Sequence, residues 1–325
     1  MGVTRRGPAL CIAAILMLTA AHVLARDTVV ICQLNWSSSI AVSHVMKAVL
    51  ETRLNIPADI RPLSQPVAWS ALDEGTADIL SEIWMPNQAE AFHRYVQRDG
   101  TVLARKSYEE APQGLYLSAS VANEHDIHSV FDLKGKESLF DVDGDGIGEM
   151  WVGPYNWAAS RINRSKIREY GIRFTPLAYE QWVFVALLKE AMVQHKPLVF
   201  YYWEPDWPTA IYDLVRLTEP PHSRAQWGID PDEPDGPRYR CAYPPATVYI
   251  GISPRLEDRL PKAFAFFLRW RIPMREVSRL VAEIEEVPGN PSKDPARVAR
   301  DWIDAHPDQV NNWLEDEAPE PPLSN

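Results

Sequence analysis

Three features of the 325-residue chain predict an α/β fold in two lobes, each a sheet flanked by helices. Short runs rich in β-branched and aromatic residues alternate with stretches of helical period, the pattern of largely parallel sheets. A single core stops growing near about 250–300 residues, so a chain of this length divides into two. Two turn-rich places mark where the chain would cross between lobes: Ala111-Pro112-Gln113-Gly114, and the run from Glu219 to Pro245 with its seven prolines.

Each element follows from its local pattern. Thr28–Leu34 reads as a buried strand, and Ser37-Ser38-Ser39 cap an amphipathic helix from about Ile40 to Leu54. A helical stretch through Ala68-Trp69-Ser70-Ala71-Leu72 stops at Gly75, ahead of a short strand, Ala77–Ile83. Tyr116–Val121, Ser138–Phe140 and Pro197–Tyr202 are predicted strands, with helices at 158–170, 180–193 and 208–215 between them. After the proline run Thr247–Ile252 returns to strand, and helices follow at 255–270, 273–286, 295–304 and on to Trp313. The first lobe is thus expected to comprise 26–111 plus 245–314, with the second lobe, 112–244, inserted; the acidic end, 315–325, is expected to be a solvated tail.

Residues 1–25 read as a secretion signal. Arg5 and Arg6 precede an apolar stretch from Leu10 to Leu24, and Val23-Leu24-Ala25 is a small-residue cleavage pattern, so the mature chain would begin near Arg26 in an exported, periplasmic protein. Cys11 follows Pro8-Ala9-Leu10, which is not a lipoprotein cleavage sequence, and no lipid anchor is expected. Removing the signal deletes two arginines and shifts the net charge from −11 to −13. Without a basic run, such a chain excludes a nucleic-acid polymer as partner and suits a cationic or neutral ligand. Cys32 and Cys241 remain, and form either a disulfide, which an oxidising compartment permits, or two buried thiols that never meet.

The functional signal lies in the tryptophans, all 12 of which fall in the mature chain. Trp36, Trp84, Trp157 and Trp203 share one local setting, the turn leaving a strand toward a helix. Ligands of open α/β sheets bind outside the carboxyl ends of strands, so two lobes facing each other would gather these indoles at one cleft. Each electron-rich indole face attracts a cation by about 0.5–2 kcal/mol. A trimethylammonium group suits such faces because it donates no hydrogen bonds; a lysine ammonium or a metal ion would lose hydration that rings do not replace. Trp182, Trp270, Trp302 and Trp313 are expected in the core, the last two eleven apart and on one face if their helix continues. Trp69, Trp151, Trp207 and Trp227 are left unassigned.

Phe200-Tyr201-Tyr202-Trp203-Glu204-Pro205-Asp206-Trp207, Glu74-Gly75-Thr76-Ala77-Asp78 with Ile83-Trp84-Met85-Pro86, Gly153-Pro154-Tyr155-Asn156-Trp157, and the ending from Val298-Ala299-Arg300-Asp301-Trp302-Ile303 through Asn312-Trp313-Leu314 carry a resemblance. Over nearly the whole mature chain the sequence resembles the periplasmic substrate-binding proteins of ABC importers for glycine betaine, choline and related methylated amines. The resemblance implies a two-lobed type II periplasmic binding fold that closes on its ligand, with Trp36, Trp84, Trp157 and Trp203 as an aromatic cage. It also implies a monomeric receptor that delivers to a membrane permease with its ATPase. Gly144-Asp145-Gly146-Ile147-Gly148-Glu149 departs from the Gly-Lys-Gly-Glu pattern of the branch that includes trimethylamine N-oxide binders, with Ile147 in place of lysine.

For the ligand's other end, backbone N–H groups of Ser37–Ser39 would suit a carboxylate, whereas choline or an amine oxide would use an acid. Glu109, Glu110, Glu82 and Glu204 are available; Glu109, at the crossing between lobes, is the first choice, a solvated surface acid being the alternative for each. Asp141, Asp143, Asp145 and Glu149 occupy positions 1, 3, 5 and 9 of a calcium-like loop, with the Ile147 carbonyl at position 7. Position 12 is Val152, so the loop is either a structural Ca²⁺ site outside an EF-hand or an acidic turn. His44 and His195 lack metal-ligand spacing, no nucleophile motif appears, and neither catalysis nor a required cofactor is expected. The competing reading is a secreted carbohydrate-binding protein or glycoside hydrolase, whose clefts also carry tryptophans and carboxylates.

Overall fold

Strand β1 (Val29–Gln33) runs parallel to a neighbour on each side, β2 (Ala58–Pro62) and β3 (Ile79–Met85), in the computed structural model, which describes residues 28–229, 237–285, 291–315 and 322–323. The export signal expected at 1–25 lies outside the described residues. β4 (Leu103–Ala111) closes one edge of the first sheet, and the late strand β12 (Ala246–Ile252) enters between β3 and β4, antiparallel to both, for an order β2-β1-β3-β12-β4.

The second sheet repeats this plan. β5 (Gln113–Ser118), β6 (Gly148–Trp151), β7 (Phe174–Leu177), β8 (Val199–Trp203) and β9 (Leu214–Arg216) lie in the order β7-β6-β8-β5-β9, with β6 parallel to β7 and β8 and β5 antiparallel to β8 and β9. A two-stranded ribbon of β10 (Trp227–Ile229) and β11 (Arg238–Tyr239) sits beyond it. The sheets are therefore mixed where the sequence suggested largely parallel ones. In each, the antiparallel strand is the first one laid down after the chain crosses over: β5 follows β4 across Pro112, and β12 follows Pro244-Pro245.

Four of the strands missing from the sequence reading are explained by their place in the sheets. β2, β4, β7 and β9 are all sheet edges. Edge strands face solvent along one side and carry charges or prolines that discourage further pairing, so no apolar run betrays them. β4, Leu-Ala-Arg-Lys-Ser-Tyr-Glu-Glu-Ala, is such a case. Ser138–Phe140 is not a strand: Glu137–Leu139 form a 3₁₀ turn, and the pairing falls to β6. The helix expected at 255–270 is two, Arg255–Arg259 and Pro261–Leu268, because Pro261 cannot continue the first.

Packing corrects other expectations. Trp182 is 75% exposed, since the helix Gln181–Gln194 buries the stripe Gln181, Phe184, Leu188 and Ala191 and turns Trp182 outward. Trp302 and Trp313 occupy two helices, Pro295–Ala305 and Pro307–Leu314, rather than one, yet their rings stack at 5.9 Å, and Trp270 stacks on Trp313 at 4.6 Å. Cys32 and Cys241 are both free and buried, one within β1 of the first lobe and the other beside His222 and Ser223 in the second. Of the expected solvated tail, Leu323 pairs its backbone with Ala104 on the β4 edge at 2.9 and 3.1 Å. Among the described residues no helix is long and apolar enough to cross a membrane.

Candidate functional site

Each of the four tryptophans sits at the outlet of a central strand. Trp36 caps the helix Ser37–Arg53 three residues after β1, and Trp157 caps the helix Ala158–Tyr170 in the second lobe. Trp84 lies near the end of β3, and Trp203 is the last residue of β8. The second-lobe helix is anchored from behind, because its buried Lys166 pairs with Glu219 and faces the Tyr243 ring at 4.2 Å.

The rings meet across the lobe boundary. Trp36 stands edge-on to Trp157 with centroids 5.4 Å apart, Trp157 to Trp203 at 5.2 Å, and Trp203 to Trp84 at 6.4 Å. Trp151, fully buried against Phe184, backs Trp157 at 6.0 Å. Together with Gln65, Asn87, Ala159 and Tyr201 the four enclose a cavity of about 20 Å³. That is room for about one water. A trimethylammonium group is larger than a water, so the rings, with centroids now 5.2 to 6.4 Å apart, must separate to seat one.

Behind the rings lies a carboxylate. Glu82, in the fully buried stretch of β3, accepts at Oε2 from Trp36 Nε1 (2.5 Å), Ser38 Oγ (2.9 Å) and Trp84 Nε1 (3.0 Å), and at Oε1 from Tyr108 OH (2.7 Å). Burial pushes its carboxyl above the ordinary glutamate range, while these four donors pull it back. Engaging both N–H edges fixes the rotation of both indoles. Trp157 Nε1 donates to Asn35 Oδ1 across the lobes at 3.1 Å. Trp203 Nε1 is buried and has no partner among the described residues.

The cavity floor is an amide and phenol network. Asn87 and Gln113 exchange hydrogen bonds at 2.8 and 3.1 Å, and Tyr201 OH donates to Gln113 Oε1 at 2.7 Å. It ties the first lobe, the crossing at Pro112 and the second lobe. Gln65 Oε1 accepts from Ala158 N at 3.2 Å, and Arg161 pairs with Glu90 at 2.9 Å, also across the boundary.

Glu109 is not brought to the four rings. It is half-exposed on β4 and bound by Lys106 (2.7 Å) and Arg271 (3.0 Å), and the Lys106 ammonium holds its carboxyl below the usual range. A polar edge strand turns such a residue to solvent. Nor do the Ser37–Ser39 residues line the cavity; their hydroxyls bind Glu285, Glu82 and Ser81. Asn87, Gln65 and Tyr201 were not anticipated. Glu82 had a signal in the sequence, a lone acid inside the apolar run Ile79-Leu80-Ser81-Glu82-Ile83-Trp84. In the acidic loop the carboxylates of Asp141, Asp143, Asp145 and Glu149 lie within 4.8 Å of one another, and backbone N–H groups of Gly144 and Gly146 donate to Asp141 and that of Val142 to Glu149.

Residues 27–305 match the family described as the substrate-binding domain of the ABC-type glycine betaine transport system. Among curated proteins, the glycine betaine-binding periplasmic protein OusX of Dickeya dadantii (strain 3937) is 23% identical over 264 residues, covering 76% of this chain and 77% of that one. Among solved structures, an ABC-transporter choline-binding protein in complex with choline superposes with a TM-score of 0.71 at 20% identity, covering 91% of this chain and 94% of that one. The closed, glycine betaine-bound form of lactococcal OpuAC superposes with a TM-score of 0.67 at 18% identity, covering 89% and 100%. At such identity these likenesses show the shared two-lobed fold.

Proposed function

The chain belongs to the family of substrate-binding domains of ABC-type glycine betaine transport systems, and on that premise we propose that it captures a small quaternary or methylated amine in the cage of Trp36, Trp84, Trp157 and Trp203. The observation that carries this reading is the arrangement of four indoles, two from each lobe, around one cavity with the buried carboxylate of Glu82 behind two of them. Ring faces attract the cation, Glu82 supplies the compensating charge, and methyl burial adds about 0.8 kcal/mol per carbon group. Micromolar affinity corresponds to about 8 kcal/mol, which several such contacts reach only when the lobes close together on the ligand.

Trp203 Nε1 offers a free donor to an oxygen of the ligand, a carboxylate or an amine oxide. In this reading the protein is exported by its signal, acts as a monomer in the periplasm, and hands its ligand to a permease driven by an ATPase. No covalent step is required. A sugar cleft of the hydrolase kind works with two carboxylates facing the substrate; the cage cavity is lined by indoles, amides and a phenol instead.

Calorimetric titration of the mature protein with glycine betaine, choline, carnitine and trimethylamine N-oxide, against a panel of oligosaccharides, tests the proposal. Binding of at least one amine at micromolar affinity is expected. Binding of oligosaccharides alone would overturn it.

A further inference from the structure

Beside the cage, sharing Gln65, Asn87 and Trp157 with it, a much larger cleft of about 1070 Å³ opens between the lobes. Among the described residues its walls are basic although the chain as a whole carries −11: Arg94 and Arg98 face it from one lobe, Arg161, Arg164 and Arg168 from the other, against one carboxylate, Glu90. Glu90 is already paired with Arg161, and Arg94 and Arg98 share Asp99.

The helix Ala158–Tyr170 presents the remaining groups to this cleft. Arg164 is half-buried, and neither it nor Arg168 has an ion-pair or hydrogen-bond partner among the described residues. One turn before Arg164, Ser160 is 1% exposed and its Oγ has no partner among the described residues. From the opposite lobe Gln88, 4% exposed, spends its Oε1 on Trp69 Nε1 and leaves Nε2 without an acceptor. Buried donors left unpaired are uncommon and cost about 1–3 kcal/mol each, so two of them on residues lining one cleft, Ser160 and Gln88, mark a place prepared for acceptor atoms.

We infer that this cleft is the anion subsite of an extended ligand: a trimethylammonium compound carrying its negative group on an arm longer than the single carbon of glycine betaine, as in a phosphate ester of choline. The inference rests on the cage reading for the ammonium end. Arg164 lies seven positions beyond Trp157, about 10 Å along a helix rising about 1.5 Å per residue. Ser160 and Arg164 are four positions apart and so lie on one face of the helix, both lining the cleft. A carboxylate one carbon from the nitrogen stays within the cage, whereas a phosphate on a longer arm leaves it past Trp157 and enters the basic cleft. There the guanidinium offers two parallel donors to phosphate oxygens, and the N-terminal end of the helix adds its favourable partial charge.

Calorimetry of the full mature chain with choline, glycine betaine and phosphocholine, at low and moderate salt, tests this. Phosphocholine is expected to bind at least tenfold tighter than choline and to lose that advantage as salt rises. In Arg164→Gln the affinity for phosphocholine should fall at least fivefold more than that for choline, with folding followed by circular dichroism. Ser160→Ala carries the same comparison should Arg164→Gln fail to fold. Phosphocholine binding no tighter than choline, or variants that weaken both ligands alike, would overturn the inference and leave the cage standing. Failure of every trimethylammonium compound would remove the cage reading, and this inference with it.

Discussion

The indole N–H of Trp36 donates to Glu82 Oε2 at 2.5 Å, and that oxygen also receives the indole of Trp84 at 3.0 Å, so one buried carboxylate sets the rotation of both first-lobe rings. Glu82→Gln keeps the shape but removes the charge and places a donor among four donors. Attraction between Glu82 and a caged cation is worth about 1–3 kcal/mol at an effective dielectric of roughly 20. Calorimetry should therefore show a loss of choline or betaine affinity of at least tenfold in Glu82→Gln. An unchanged affinity would mean that the glutamate only braces the wall.

The same carboxylate should make binding depend on pH. Burial raises Glu82 above the 4.5 of a free glutamate. A bound cation stabilises the ionised form and lowers that value, so ligand uptake releases a proton. Affinity should then be full above the pKa of the unliganded protein and decline as pH falls through it, in a window above 4.5. Buried Asp206 is also raised and is felt by Glu82's surroundings, as is Tyr108. Asp206→Asn should keep the decline and Glu82→Gln should abolish it; the reverse result would assign the dependence to Asp206.

Removing a cage ring should separate binding from folding. In Trp157→Ala or Trp203→Ala, ligand affinity is expected to fall at least tenfold, about 1.4 kcal/mol, while the protein still unfolds cooperatively. Trp270→Ala, which empties a fully buried site stacked on Trp313, should cost about 3–5 kcal/mol of stability. Its melting temperature should drop further than that of either cage variant.

Contacts between the lobes differ in weight according to burial. Gln113→Ala takes the donor from Asn87 Oδ1 and the acceptor from the Tyr201 hydroxyl, both buried, and leaves them only the 3.3 Å bond from Asn87 Nδ2 to Tyr201 OH, at about 1–3 kcal/mol per lost partner. The Arg161–Glu90 pair is exposed on both sides, and such pairs are worth about 0–1 kcal/mol. Chemical denaturation should show a clear loss of stability for Gln113→Ala and little for Glu90→Gln.

Cys32 and Cys241 are both thiols, and burial pushes that of Cys32 up to about 12. The mature protein unfolded without reductant should take up two equivalents of iodoacetamide per chain. In the folded state labelling should be slow, because neither sulfur is exposed and the Cys32 thiolate is disfavoured.

How much could be read from the chain follows from where its apolar residues had to go. Strands β1, β3, β5, β8 and β12 lie inside their sheets, are covered on both faces, and show it as mainly apolar runs, whereas β6, Gly-Glu-Met-Trp, is internal too but too short and mixed to show one. The edges β2, β4, β7 and β9 have no such run and stayed hidden. The placement of Trp36, Trp84, Trp157 and Trp203 after central strands was equally legible, because the outlet of a strand is a local feature. Which acid serves them was not. Glu109 looked well placed by its nearness to the crossing, yet the strand turns it toward Lys106 and Arg271.

By itself, then, the order of residues determined the alternation of strand and helix, the two crossings and the positions of the four indoles, since each depends on periodicity or on neighbours in the chain. Only the tertiary structure decided that the rings meet at 5.2 to 6.4 Å, that Glu82 rather than Glu109 stands behind them, and that the thiols lie apart in different lobes. The reason is that hydrogen bonding and ring contact act over a few ångströms in space. The partners they join here, Trp36 with Glu82 or Trp157 with Asn35, are 46 and 122 residues apart in the chain.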